Sequence, residues 1–212
     1  MAYDLEEQEQ LDNLKAFWNK YGNFILTVVA VVALSIAGWR GWHFYQDNQS
    51  AKAAAAYEQL REAASARDVA RVRETAGAIF SDYASTSWAQ MAAMIASDAY
   101  VAAGDAKAAK VPLQWAIDKA RDPAFRDEAR LRLAAILLDE KAFDDGLKLV
   151  AEPGDPSYAA VFADRRGDLL VAQGKKADAR AAYRQALDEL KADSALRRLV
   201  QLKLDALGGA PA

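Results

Sequence analysis

From Tyr21 to Trp39 the chain runs 19 residues without a charge, and between Phe24 and Ala37 only Thr27 and Ser35 are not apolar. Wound as a helix at about 1.5 Å per residue, such a run spans about 28 Å, the thickness of bilayer hydrocarbon. Lys20 and Arg40 bracket it. Phe17, Trp18 and Tyr21 stand at one end, and Trp39, Trp42, Phe44 and Tyr45 at the other, in the pattern of interfacial aromatic belts. A core helix of a soluble domain rarely holds so long an uncharged stretch. A cleaved leader wants a basic start and a small-residue cleavage site. Here the first 20 residues carry Asp4, Glu6, Glu7, Glu9 and Asp12 against Lys15 and Lys20, and Arg40, Trp42 and His43 follow the run. A permanent membrane helix over 21–39 is the reading.

The residues before the span, with Leu5, Leu11, Leu14, Phe17 and Trp18 among acids and glutamines, read as a short amphipathic helix. Its acidity works against attraction to anionic lipid. Basic residues flank the span almost equally, Lys15 and Lys20 before it and Arg40 and Lys52 after it, so charge alone does not orient it. Ala33, Ala37 and Gly41 recur every four residues and offer a candidate contact face for a second membrane helix. The expected organisation is an amphipathic tail over 1–20, a transmembrane helix over 21–39, a juxtamembrane connector over 40–50, a helical domain over 51–207 and a flexible tail over 208–212.

Alanine accounts for 49 of the 212 residues, while glycine (11) and proline (5) are scarce. That favours helix nearly throughout, and it excludes a β-sandwich or a collagen-like chain. There is no cysteine and a single histidine, so thiolate chemistry, disulfides and histidine-rich metal sites are excluded. Beyond residue 40 the chain holds 24 basic and 25 acidic residues. A nucleic-acid surface would need a clear basic excess, and the densest run, Arg61, Arg67, Arg71 and Arg73, is interleaved with Glu62, Asp68 and Glu74.

Capping and breaking residues then divide the domain into helices near 43–64, 68–82, 87–103, 106–120, 124–139, 143–151, 157–173, 176–190 and 194–207. Asp122-Pro123 and Asp155-Pro156 supply N-caps followed by proline, and Gly104 and Gly174 sit where hairpins turn. Short loops between helices of this length describe stacked antiparallel pairs. Those pairs repeat. Ala163, Gly167, Leu170, Gly174, Ala179, Tyr183 and Ala186 match Ala93, Ser97, Tyr100, Gly104, Ala109, Leu113 and Ala116, seventy residues earlier. Arg130, Ala134, Leu137, Lys141, Gly146, Val150 and Pro153 lie between them, slightly out of phase. The order of small residue, large residue, turn, then small-large-small resembles the tetratricopeptide pattern, whose period is about 34 residues. Small residues let paired helices cross closely, and Leu170 and Tyr183 fill the seam. Lys141 stands where the pattern wants a turn glycine, which leaves the repeat count open. Residues 51–82 read as an atypical terminal pair.

Local spacing offers no catalytic constellation. His43 lies in the aromatic cluster after the span. Asp144 and Asp145 are adjacent and leave a helix in different directions, and Ser81, Ser97 and Ser194 have no histidine after residue 43. No strand-glycine-helix unit supplies a nucleotide site. The chain reads as a non-enzyme without cofactor or metal. A repeat array presents an extended surface for a peptide or a partner helix, with Trp88, Trp115, Phe125, Phe143 and Tyr158 as candidate partner-binding aromatics. For Trp88 and Trp115 burial is the favoured role.

The start Met1-Ala2-Tyr3-Asp4-Leu5 continues through Lys15-Ala16-Phe17-Trp18 and Lys20-Tyr21-Gly22-Asn23 into the span, which closes on Trp39-Arg40-Gly41-Trp42. Further on stand Ser87-Trp88-Ala89, Leu113-Gln114-Trp115-Ala116 and Ala129-Arg130-Leu131-Arg132-Leu133-Ala134. Together these resemble the YfgM family, the ancillary subunit of the bacterial SecYEG translocon with its tetratricopeptide-like domain. The likeness runs over nearly the full length. It implies an all-α chain with a single inner-membrane span, a cytoplasmic amino terminus and a periplasmic repeat solenoid. It implies as partners the SecYEG translocon, a membrane-anchored periplasmic chaperone of the prolyl-isomerase type, exported polypeptides and the inner-membrane lipid. The expected role is a chaperone-type accessory protein, with a scaffold for an envelope or cell-division complex as the alternative.

Overall fold

The computed structural model describes residues 2–208, with side chains described from Glu7 onward. Of the flexible tail expected over 208–212, residues 209–212 lie outside the described residues. Every element among the described residues is helical. They are α1 (Ala2–Ser65), α2 (Val69–Asp82), α3 (Ser87–Ala102), α4 (Ala106–Lys119) and α5 (Pro123–Asp139), followed by α6 (Phe143–Leu149), a 3₁₀ turn at Pro156–Tyr158, α7 (Ala159–Ala172), α8 (Lys176–Glu189) and α9 (Ala195–Ala206). The all-α expectation holds, and the helices expected from residue 68 onward recur within two residues at nearly every end. The chain divides into two compact units, Met1–Gln49 and Ser50–Ala212.

In the first unit the uncharged run is helical and uncovered. Phe24 and Leu34 are about 70% exposed (70% and 73%), and Ile36 and the valines 28, 29, 31 and 32 are exposed as well. Apolar side chains laid bare around a helix for five turns are costly in water and suit hydrocarbon. The two hydroxyls inside the run are satisfied locally. Thr27 Oγ1 donates to the Asn23 carbonyl at 2.7 Å, and Ser35 Oγ to that of Val31 at 2.8 Å. Neither hydroxyl therefore needs water within the lipid. Phe17 packs on Tyr21 at one end and His43 edge-on against Trp39 at the other.

In the second unit four helical hairpins follow one another, and α9 covers the last. The first hairpin pairs the end of α1 with α2, then come α3 with α4, α5 with α6, and α7 with α8. All four turn in the same way. Arg67, Gly104, Lys141 and Gly174 each take a left-handed φ, between 57° and 77°. In each case the next residue's N–H returns to a carbonyl five residues back: Asp68 to Ala63, Asp105 to Tyr100, Ala142 to Leu137 and Lys175 to Leu170. This is the Schellman closure, which favours glycine because a Cβ is strained there. Lys141 makes the turn without glycine, so the third pair is a full hairpin. Arg67 does the same in the first, so the atypical sequence over 51–82 still folds as a hairpin.

Side-chain caps fix the starts. Asp68, Thr86, Asp105, Asp122 and Asp155 each accept a backbone N–H from the following turn, each cap being worth about 1 kcal/mol. Burial runs from Leu60, Val72 and Ile79 through α3 and α4 to Leu133 and Ile136. It continues with Val150, Phe162 and Leu169, and ends with Tyr183, Leu187, Val200 and Leu204.

Candidate functional site

The small residues of the repeat pattern lie where helices cross. Ala93, Ala109, Ala116, Ala134, Ala179 and Ala186 are fully buried, and Ser97, Tyr100 and Tyr183 nearly so. Gly104 and Gly174 make hairpin turns. Of the glycines, Gly167 sits in the tightest place, since a Cβ there would stand 2.3 Å from the Tyr183 ring. Tyr183 in turn donates its hydroxyl to Asp168 at 2.8 Å. Burial first, and then that carboxylate, push the phenol far above its ordinary value, so it stays a neutral donor. A smaller version occurs at Gly146, where a Cβ would meet the Leu169 side chain at 2.8 Å.

The five candidate partner-binding aromatics are each half-buried and packed within the domain. Trp88 lies 5.2 Å from the Tyr57 ring and donates Nε1–H to Ser50 at 3.2 Å. Trp115 stacks on Phe80 at 4.5 Å. Phe125 packs against the first part of the core, and Phe143 and Tyr158 against the cluster around Phe162. Ala33, Ala37 and Gly41 are exposed on α1, and a Cβ on Gly41 would meet nothing within 4 Å.

The open apolar surface is elsewhere. Between α4 and α6, with α5 as its floor, runs a groove of about 540 Å³ lined by Val111, Leu133, Leu137 and Leu149. Its rim is polar: Lys110, Gln114, Asp145 and Lys148. A second hollow of about 260 Å³ lies between α2 and α4 over α3, lined by Ala76, Phe80, Ala96 and Tyr100, and Val111 lines both. Each is the same gap between second helices of successive hairpins, one repeat apart. Val111 is 67% exposed, an unusual setting for a valine in mid-domain.

The rim charges are paired. Lys110 reaches Glu140 at 2.7 Å, and Lys148 reaches Asp145 at 2.8 Å. The hydrogen bond from Lys148 to Asp145, reinforced by its charge, holds the ammonium above its ordinary value. An apolar trough with a charge-balanced rim can take apolar side chains of an extended or helical segment without selecting for net charge. It was not legible in the sequence, because Val111 and Leu149 fall outside the small-large-small pattern and nothing local marks them as open.

Hairpins of fixed turn geometry and close glycine or alanine crossings, in a chain that also carries one exposed apolar helix, define a helical-repeat protein of the tetratricopeptide class. Residues 15–209 match the family model described as a tetratricopeptide repeat-like domain. The chain is 30% identical to a Neisseria gonorrhoeae protein named ancillary SecYEG translocon subunit, over 98% of this chain and all of that one. It is 26% identical to the protein of that name from Haemophilus influenzae, over 88% of this chain and 91% of that one. With the one from Escherichia coli it shares 25% identity over 95% of this chain and 96% of that one. The chain belongs to this family, as the resemblance in the amino-terminal segment and repeats implied.

Proposed function

We propose that the protein is a single-span accessory subunit of the SecYEG translocon that holds exported polypeptide segments in the groove between α4 and α6. The observation carrying this reading is the apolar trough around Val111, open in a chain whose relatives are named as translocon subunits. The uncovered helix suits the inner membrane. The family resemblance supports a cytoplasmic amino terminus, with the repeat domain in the periplasm. There it would meet newly exported chains and pass them to a membrane-anchored chaperone of the prolyl-isomerase type.

The experiment has two arms on the full-length protein in detergent. Tagged protein is expected to retain SecYEG through purification. A labelled apolar peptide is expected to bind it, and Val111→Asp is expected to weaken that binding about tenfold by placing a charge on the apolar contact. Retention of SecYEG with unchanged peptide affinity in the variant would remove the groove from the account.

A further inference from the structure

Helix α9 is the last helix among the described residues, and its side away from the domain is not polar. Its inner side is buried through Val200 and Leu204, while Leu199 and Leu202 on the other side are 50% and 66% exposed. Ala195 and Ala206, also exposed, extend these two into a stripe with spacings of four, three and four. That is the a/d spacing of a two-helix seam.

The charges beside the stripe point to what covers it. Cations of α9 turned toward the domain are engaged there. Arg197 donates to the Leu187 and Leu190 carbonyls, and Lys203 to Asp164 and Asp168. On the other flank, Arg198 and Asp205 have no ion-pair partner among the described residues, and the Asp205 carboxylate accepts a hydrogen bond there from Gln201, a neighbour on its own helix. Seven residues separate Arg198 from Asp205, so both hold the same heptad position. When two copies of this helix pack antiparallel with Leu199 of one on Leu202 of the other, Ala195 meets Ala206 in the same register. Arg198 of each then falls beside Asp205 of the other. One two-fold axis thus satisfies both the apolar stripe and the two idle charges, whereas a parallel pairing sets Arg198 of one copy beside Lys203 of the other, like against like.

We propose that α9 is a homodimerisation surface that pairs antiparallel with α9 of a second copy of this chain. Twelve residues of helix are about 18 Å long, and the contact is smaller than the roughly 1,200 Å² of a stable solution complex. The dimer is therefore a weak one, populated where anchoring in one membrane raises the local concentration.

The chain has no cysteine, so introduced thiols are the only ones in it. Full-length Ala195→Cys and Ala206→Cys copies, carrying different tags, are co-expressed and oxidised in native membranes. The mixed pair is expected to crosslink. Ala195→Cys alone is expected not to, because in the antiparallel pair its two thiols lie about 16 Å apart along the seam. Arg198→Asp added to both copies should cut the mixed crosslink about fivefold, and Arg198→Asp with Asp205→Arg should restore it. The proposal is overturned if both thiols react with a maleimide, showing them exposed on a folded protein, and yet no mixed crosslink forms. It is equally overturned if Ala195→Cys crosslinks to itself as readily as to Ala206→Cys, or if the charge reversal and its compensation leave the yield unchanged.

Discussion

Asp127, fully buried near the start of α5, accepts the Asp155 backbone N–H on Oδ2 at 2.7 Å. Arg130 donates to its other oxygen at 3.2 Å. One repeat earlier Gln90, on α3, accepts the Asp122 N–H on Oε1 at 3.3 Å. In both cases a side chain near the start of one hairpin's first helix holds the residue that caps the next. The stacking of hairpins is thus fixed by polar latches as well as by apolar burial. Removing the Asp127 carboxylate leaves a buried N–H and a guanidinium without their acceptor, so Asp127→Ala is expected to cost about 2–3 kcal/mol. Asp127→Asn, which keeps one acceptor oxygen, is expected to cost less than that. Urea unfolding followed by tryptophan fluorescence measures both, and an Asp127→Ala variant as stable as the parent would refute the latch.

Gly167 and Tyr183 meet where α7 crosses α8 with no room for a side chain at residue 167. A methyl group at residue 167 collides with the aromatic ring, whose hydroxyl is tied to Asp168, so the ring has little room to move. Gly167→Ala is expected to destabilise the protein by about 1–3 kcal/mol through overpacking. Gly167→Ala combined with Tyr183→Leu is expected to lose less than the sum of the two single changes. A double-mutant cycle in urea reads that coupling, and strict additivity would deny the contact.

Lys141 holds φ at 61° where two of the other hairpins use glycine. A side chain in the left-handed region costs about 1 kcal/mol. Lys141→Gly is therefore expected to stabilise the protein by about 0.5–1 kcal/mol, against the usual direction of glycine substitutions. Gly104→Ala and Gly174→Ala are expected to destabilise it by about 1 kcal/mol each. Thermal unfolding midpoints of the three variants decide this.

Two carboxylates respond to acid in opposite senses. The Ser157 backbone N–H, and then the Ser157 hydroxyl, hold Asp155 below the ordinary value of 3.8. Its stabilising contribution is therefore present above that value and lost as pH falls through the folded one. Burial, the leading cause, raises Asp164 despite the hydrogen bond from Lys203. Between 3.8 and that raised value the folded state binds the extra proton, so this contribution is present in acid and lost as pH rises through the folded pKa. Stability measured from pH 3 to 6 is expected to show the penalty of Asp155→Ala shrinking toward acid. Over the same range Asp164→Asn should gain on the parent as pH rises.

Much of the architecture was legible because it rests on local chemistry. The span is written in 19 uncharged residues, and helix ends are written in Asp122-Pro123, Asp155-Pro156, Gly104 and Gly174. What was not legible depends on contacts between distant residues. Lys141 hid a turn because the hydrogen bonds from Lys141 and Ala142 back into α5 outweigh a modest backbone penalty. Asp127 gave no sign of burial, since an aspartate in an early helix turn usually faces solvent. Trp88 and Trp115, for which burial was the favoured role, pack their rings on Tyr57 and Phe80, but the sequence did not say which partners they would meet. The open apolar positions are a valine and leucines, Val111, Leu199 and Leu202, which look like core until the neighbours are placed.

The central claim is that exported chains run through the groove beside Val111. A photoreactive amino acid placed at residue 111 of the full-length protein, in inner-membrane vesicles carrying an export substrate arrested in SecYEG, tests it most directly. The account predicts a light-dependent adduct between this protein and the arrested chain from residue 111, with far less from the exposed Lys175. An adduct equally strong from both positions, or none from residue 111 while SecYEG remains associated, would contradict it.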